Sequence, residues 1–186
     1  MSDNLLLQYE LLTVEDWHEL ATPRCELLYG LEYPLRTKST PADHDELCAR
    51  LIVTLTDQLQ NQPNKNRDSR CVVRAEGPVV RINVTTAFMP DVSIECNRRE
   101  EIMHPMQVEP CVVFEVLSPT TAKYDREIKA PAYAAHPSIQ YVVLVDSVHQ
   151  YCIVMSGDQT FQESGRVHLH MPNGILKLDV QELFKS

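Results

Sequence analysis

Apolar positions between residues 44 and 60 recur every three or four places. Leu47, Leu51, Ile52, Leu55 and Leu59 form one stripe, and this spacing predicts an amphipathic helix. Thr40, Pro41 and Asp43 supply its start: a cap, a proline suited to the first helical position and an acid in the first turn. An earlier start signal, Thr13-Val14-Glu15-Asp16 flanked by Leu12 and Trp17, predicts a short capped helix that stops before Pro23. Residues 25–29 then read as a strand turned at Gly30, with 31–35 as its hairpin partner. Strands are expected over 71–75, 79–84 and 91–95, with polar connections over 61–70 and 97–109.

Two later runs are apolar on both faces, residues 111–117 and 139–146, as buried central strands are. A helix predicted over 126–135 joins them, and Pro131 inside it should kink or shift it. Short strands over 151–155, 166–171 and 175–178 follow, with Asn173-Gly174 as a hairpin signal, and a helical turn closes the chain near 181–184. This order of elements describes an α/β protein with a mixed sheet. Without a repeat, a low-complexity segment or a linker, residues 1–186 read as a single domain.

Composition narrows the class without naming it. The chain has 186 residues, 44% of them hydrophobic and 23% charged, as in an ordinary globular domain. No apolar run approaches the roughly 20 residues of a membrane span, and Met1-Ser2-Asp3-Asn4 lacks a basic leader, so a cytoplasmic location is expected. A formal net charge of −9 argues against a protein that coats nucleic acid through a basic surface. It leaves open a phosphodiester met locally through a metal and a few basic groups. Six cysteines without a Cys-x-x-Cys pair are expected to be reduced thiols rather than disulfides or a zinc site.

The chemistry centres on Glu115, a carboxylate in the middle of Cys111-Val-Val-Phe-Glu-Val-Leu117. A buried charge must be paired or bound to metal. Asp91 opens the preceding predicted strand, 24 positions earlier. If the two strands pair, both carboxylates converge, and two carboxylates with a backbone carbonyl suit a hard cation. Asp125, Lys129 and Tyr133 are spaced four apart, on one helix face. His44 shares a face with Leu47 and Leu51, and Glu26 alternates with Leu28, so both polar groups point toward apolar neighbours. His168 and His170 share a strand face near the C-terminus.

Several of these residues fall in a recognisable order: Pro90-Asp91, Phe114-Glu-Val-Leu-Ser-Pro-Thr-Thr121, Asp125-x-x-x-Lys129-x-x-x-Tyr133 and Tyr141-Val-Val-Leu-Val-Asp146. Upstream stand Glu26-Leu-Leu-Tyr-Gly30-x-Glu32 and His44. Together they resemble the Uma-two family of the PD-(D/E)xK nuclease superfamily, over roughly residues 13–155. The resemblance implies a restriction-endonuclease-like mixed sheet flanked by helices, with extra antiparallel strands at the C-terminus. Its nuclease-like core would span about 40–146, between an N-terminal helix and hairpin and the C-terminal strands. It also implies a magnesium site, manganese being the alternative ion, held by Asp91, Glu115 and the Val116 carbonyl, with Glu26 and His44 close by. The lysine that the superfamily places two residues after the glutamate is Leu117 here. Lys129 is the expected substitute, with Lys123 behind it, orienting or deprotonating the attacking water or neutralising the phosphate. The implied activity is DNA phosphodiester hydrolysis; a homodimer is expected because a pair of active sites is the simplest route to double-strand cleavage. The rival expectation is a catalytically degenerate member acting as a dimeric interaction or nucleic-acid-binding module. A cupin-like metal protein would need a histidine cluster in the middle strands, which this sequence lacks.

Overall fold

The computed structural model describes residues 11–19, 25–34, 42–61, 71–75, 78–96, 108–171 and 174–185. The Thr40–Pro41 cap, most of the 61–70 and 97–109 connections and Asn173 lie outside these residues.

The chain builds α1 (Val14–Glu19), the hairpin β1 (Cys25–Leu28) and β2 (Leu31–Pro34), and the long helix α2 (Ala42–Gln60). Next come β3 (Cys71–Ala75), β4 (Val80–Asn83), β5 (Thr86–Phe88), β6 (Val92–Cys96) and β7 (Val112–Leu117). The helix after β7 has three parts: α3 (Ala122–Tyr124), a π-helical turn over Asp125–Lys129, and α4 (Ala130–Ala134). The chain ends with β8 (Tyr141–Asp146), β9 (Tyr151–Ser156), β10 (Gln159–Glu163), β11 (Arg166–Met171), β12 (Gly174–Asp179) and α5 (Val180–Leu183).

Six strands form the main sheet in the order β10-β9-β8-β7-β6-β3. Only β7 and β8 are parallel, and the α3–α4 helix is the crossover that a parallel pair requires. All six residues of β7 are buried, which fits the centre of a sheet covered on both faces. On one face Leu47, Leu51 and Leu55 of α2 pack against Val92, Ile94, Phe114 and Val116. On the other, Ala130 and Tyr133 of α4 pack against Val113, Leu117 and Val142. Glu115 alternates with Val113 and Leu117, so it faces the α3–α4 helix.

A second sheet, β2-β1-β5-β4, carries the N-terminal hairpin. Leu28 pairs with Leu31 across the two-residue turn Tyr29-Gly30, whose φ angles of 53° and 78° are both positive. That is the turn geometry matched to the twist of a hairpin. The α1 start is realised as a reciprocal cap: Asp16 N donates to Thr13 Oγ1 at 3.1 Å and Thr13 N donates to Asp16 Oδ2 at 3.2 Å. The β11–β12 pair supplies the additional antiparallel strands, with Val167, Leu169 and Met171 inward and His168 and His170 exposed.

Three expectations need correction. The helix expected over 126–135 begins four residues earlier, and a π-helical turn precedes Pro131 instead of a simple kink. Proline removes one backbone donor and crowds the carbonyl four residues back, and a wider turn relieves both. Strands β5 and β10 were not foreseen: β5 has only three residues, and β10 is an exposed polar edge with no apolar alternation. The cysteines are not all thiols. Cys71 and Cys96, directly opposite in the β3–β6 register, form a disulfide with Cα atoms 4.0 Å apart. Their cross-strand pairing was invisible in the linear spacing.

Candidate functional site

Strands β6 and β7 pair antiparallel with Val92 opposite Phe114, so continuing that register brings position 91 level with position 115. Asp91 lies just outside β6, after Pro90, and its Oδ2 accepts the Val116 amide at 2.7 Å. The superfamily resemblance assigned Val116 a carbonyl role; here its N–H fixes the Asp91 carboxylate. Glu115 lies across from this anchor, 2% exposed and near enough for the two carboxylates to act on each other at one end of the sheet.

Lys129 enters from the π-helical turn. Its Nζ is 2.7 Å from Glu115 Oε1 and 3.0 Å from Glu26 Oε1, and it donates to the Met89 carbonyl at 3.0 Å. The Met89 contact is a hydrogen bond and the two carboxylate contacts are ion pairs. Burial works to lower the Lys129 pKa, but Glu115 and Glu26 overcome it and hold the group well above its ordinary value. Lys129 is therefore a fixed cation at neutral pH. Lys123, the other candidate, is exposed and faces Glu127 at 3.9 Å.

Glu26, on β1, is completely buried. Its Oε1 accepts the Met89 amide at 2.9 Å and its Oε2 accepts the Tyr124 hydroxyl at 3.1 Å. Tyr124 is stacked on Tyr33 of the hairpin, with ring centroids 4.6 Å apart. Tyr133 is packing as well as neighbour: its ring sits edge-on to Phe88 and 5.9 Å from Lys129 Nζ.

His44 approaches from the first turn of α2, with Nε2 3.4 Å from Asp91 Oδ2 and Nδ1 3.7 Å from Cys48 Sγ. Contact with Asp91, then with Cys48, pushes the imidazole up to about 11 against the opposing effect of burial. Burial raises Asp91, yet His44 and Lys129 prevail and hold it below the usual carboxylate range. Burial drives Glu115 well above that range despite Lys129, and drives Asp125 up to about 6.

Asp91, Glu115, Lys129, Glu26 and His44 are thus brought together from five separate segments. Tyr124, the Met89 backbone and Cys48 also belong to the cluster and were not foreseen. Tyr124 and Met89 carry no motif signal, whereas Cys48 stands four residues after His44 on one helix face, a spacing that could have flagged it. The exposed pair His168 and His170 takes no part.

Four carboxylates, Glu26, Asp91, Glu115 and Asp125, act on one another in this largely buried cluster. Among the described residues, the Lys129 ammonium and the His44 imidazole stand against them. This surplus of oxygen donors and negative charge fits a divalent cation, which Asp91 and Glu115 could hold. Asp91 also belongs to a second donor group, with His44 and Cys48, whose ligand atoms all lie within 4.8 Å of one another.

No described helix is long and apolar enough to cross a membrane. The chain is similar to a solved structure from Anabaena variabilis, described as a putative nuclease belonging to DUF820. That likeness has a TM-score of 0.69 at 17% identity, over 93% of this chain and 97% of the other, and it establishes the fold. The chain is also 41% identical over 66 residues to the protein slr1290 of Synechocystis sp.; the match covers 36% of this chain and 35% of that protein. The Uma2 family, described as "Putative restriction endonuclease", matches residues 9–179, and this chain belongs to it.

Proposed function

We propose that this protein is a divalent-metal-dependent endonuclease that hydrolyses DNA phosphodiester bonds. The observation that carries this reading is the meeting of Asp91, Glu115 and Lys129 at one end of the β6–β7 pair.

Asp91 and Glu115 are the proposed holders of magnesium or manganese. When bound, such a cation neutralises phosphoryl oxygens and lowers the pKa of the attacking water. The chain's own residues supply orientation and charge. Val116 N–H aims the Asp91 carboxylate, and Glu26 fixes the Lys129 ammonium between Met89 and Glu115. The role proposed for Lys129 is to present a positive charge and a donor to the scissile phosphate or to the attacking water. Pairing of two such sites in a twofold homodimer would permit cleavage of both strands.

The test is incubation of supercoiled plasmid with magnesium or manganese, comparing wild type with Asp91→Ala and Glu115→Ala. Nicking lost in both variants is expected; nicking that survives in both would overturn the reading. A wild type that binds DNA without cutting it would support the rival, a binding module. The burial of Lys129 between Glu115 and Glu26 favours that rival, because a buried ion cluster can be purely structural.

A further inference from the structure

We propose that His44, Cys48 and Asp91 form a binding site for a borderline transition-metal ion of the zinc(II) type. The inference deepens the nuclease reading and rests on it only through the shared residue Asp91.

Distance is the first argument. A charge-assisted hydrogen bond between imidazole and carboxylate closes to about 2.7–2.9 Å, yet His44 Nε2 and Asp91 Oδ2 stand 3.4 Å apart. A tetrahedral ion with nitrogen and oxygen ligands about 2.0–2.2 Å away holds them roughly 3.4 Å from each other. The two groups, a loose ion pair as they stand, thus also sit at the separation of neighbouring ligands of one ion. An imidazole gives one ion only one nitrogen, so with Nε2 as the ligand the 3.7 Å contact of Cys48 Sγ with His44 Nδ1 places the thiol beside the ring without being a ligand edge. With one atom taken from each residue, all three ligand atoms fall within 4.8 Å of one another, the reach of a single ion after the Cys48 side chain turns toward it.

Position is the second argument. His44 and Cys48 are four residues apart on α2, and the helix places both on the face that meets Asp91. Both are buried, so the ligands are held in place by the packed α2 face and competing water is limited. Asp91 is oriented independently by Val116 N–H, the kind of supporting contact that sets a ligand's direction.

Donor chemistry selects the ion. One nitrogen, one sulfur and one oxygen suit zinc(II), or cobalt(II) as its spectroscopic stand-in, and do not suit magnesium, which takes oxygen ligands. Three protein ligands leave a fourth position open, as catalytic zinc sites do.

The experiment titrates metal-stripped, otherwise intact protein with cobalt(II) in the absence of DNA. One equivalent per chain should produce the near-ultraviolet thiolate-to-cobalt charge-transfer band, bleached by zinc and unmoved by excess magnesium. Cys48→Ser should abolish the band, and His44→Gln should weaken cobalt binding by about tenfold or more. Cys111→Ser should leave the band intact, which separates this site from the other thiols. Cobalt binding without a thiolate band, or a band that persists in Cys48→Ser, overturns the proposal. If Cys48→Ser fails to fold, X-ray absorption on zinc-loaded Cys111→Ser decides: a zinc–sulfur path near about 2.3 Å supports the site and a purely nitrogen–oxygen shell overturns it. Failure of the nuclease reading would appear separately, as absence of plasmid nicking by wild type with magnesium.

Discussion

Lys129 delivers its ammonium to within 2.7 Å of Glu115 although fourteen positions separate them, while Leu117, two places after Glu115, packs into the apolar core. The positive charge that a strand lysine would bring to the pocket comes instead from the crossover helix, through a π-helical turn that ends on Lys129 itself. Glu26, from the N-terminal hairpin, completes the pair by holding the other side of the same ammonium at 3.0 Å.

Removing that ammonium should damage the fold as well as the chemistry. Lys129→Met keeps most of the side-chain volume but strands Glu115 and Glu26 in the interior. Breaking a buried ion pair in this way costs about 3–5 kcal/mol. Urea denaturation should show that loss, and plasmid nicking should disappear. The double variant Lys129→Met/Glu115→Gln should regain part of the stability and none of the nicking. A single variant as stable as wild type would show that the pair is not closed in solution.

Asp125 gives a prediction of opposite sign. Burial lifts its carboxyl to about 6, above the ordinary value of 3.8. The native state thus holds the proton more tightly than the unfolded chain. The full benefit is present below about pH 4 and is lost as pH rises through 6. A shift of about two pKa units corresponds to on the order of 2–3 kcal/mol. Asp125→Asn, measured by urea denaturation in chelator, should therefore stabilise the protein at pH 7.5, and the gain should fade toward pH 4. An asparagine variant that is equally destabilised at every pH would contradict this account.

The Cys71–Cys96 bridge closes a segment with a sequence separation of 25. Chain-entropy reasoning gives such a loop about 3 kcal/mol of stabilisation. Cys111 lies against it, Sγ to Sγ of Cys96 at 3.2 Å, but burial pushes the Cys111 thiol up to about 11. A thiol that stays protonated exchanges slowly. Peptide mapping without reductant should recover the 71–96 link and no 96–111 link, and reductant should lower the urea midpoint. Recovery of a 96–111 link, or a midpoint indifferent to reductant, would refute it.

Most of the site was legible because its parts carry pattern. Glu115 stands out in an apolar run, Asp125-x-x-x-Lys129 repeats at helical spacing, and His44 begins a stripe of leucines. Strands β3, β6, β7 and β8 were readable from apolar content for the same reason. What escaped depends on tertiary register. Met89 contributes backbone groups, which no side chain announces, and Tyr124 reaches Glu26 only because the hairpin folds over the α3 end. The Cys71–Cys96 pairing required the β3–β6 register, and β10 is held by its hairpin to β9 instead of by burial. The Val116 contact runs through its N–H because Asp91 lies beyond the end of β6, where its carboxylate meets the β7 backbone.

The turn that carries Glu26 into place provides the last prediction. Gly30 has φ of 78°, and a Cβ added there would meet Leu11 Cβ at 2.6 Å. Gly157 also has positive φ, 55°, but nothing lies within 4 Å of its added Cβ. Alanine at either position pays the left-handed backbone cost of about 1–2 kcal/mol; only at position 30 does it also collide with a neighbouring segment. Gly30→Ala should therefore lose more stability than Gly157→Ala in paired urea curves. Because Gly30 N also donates to the Thr85 carbonyl at 2.7 Å and Leu12 N donates to the Gly30 carbonyl at 2.9 Å, the clash pushes on both neighbours of the β1 hairpin. Glu26 lies four residues upstream, so Gly30→Ala should also lower plasmid nicking while Gly157→Ala leaves it unchanged. Equal stability losses at the two glycines would mean that Leu11 yields freely and that the turn's close approach does not constrain the site.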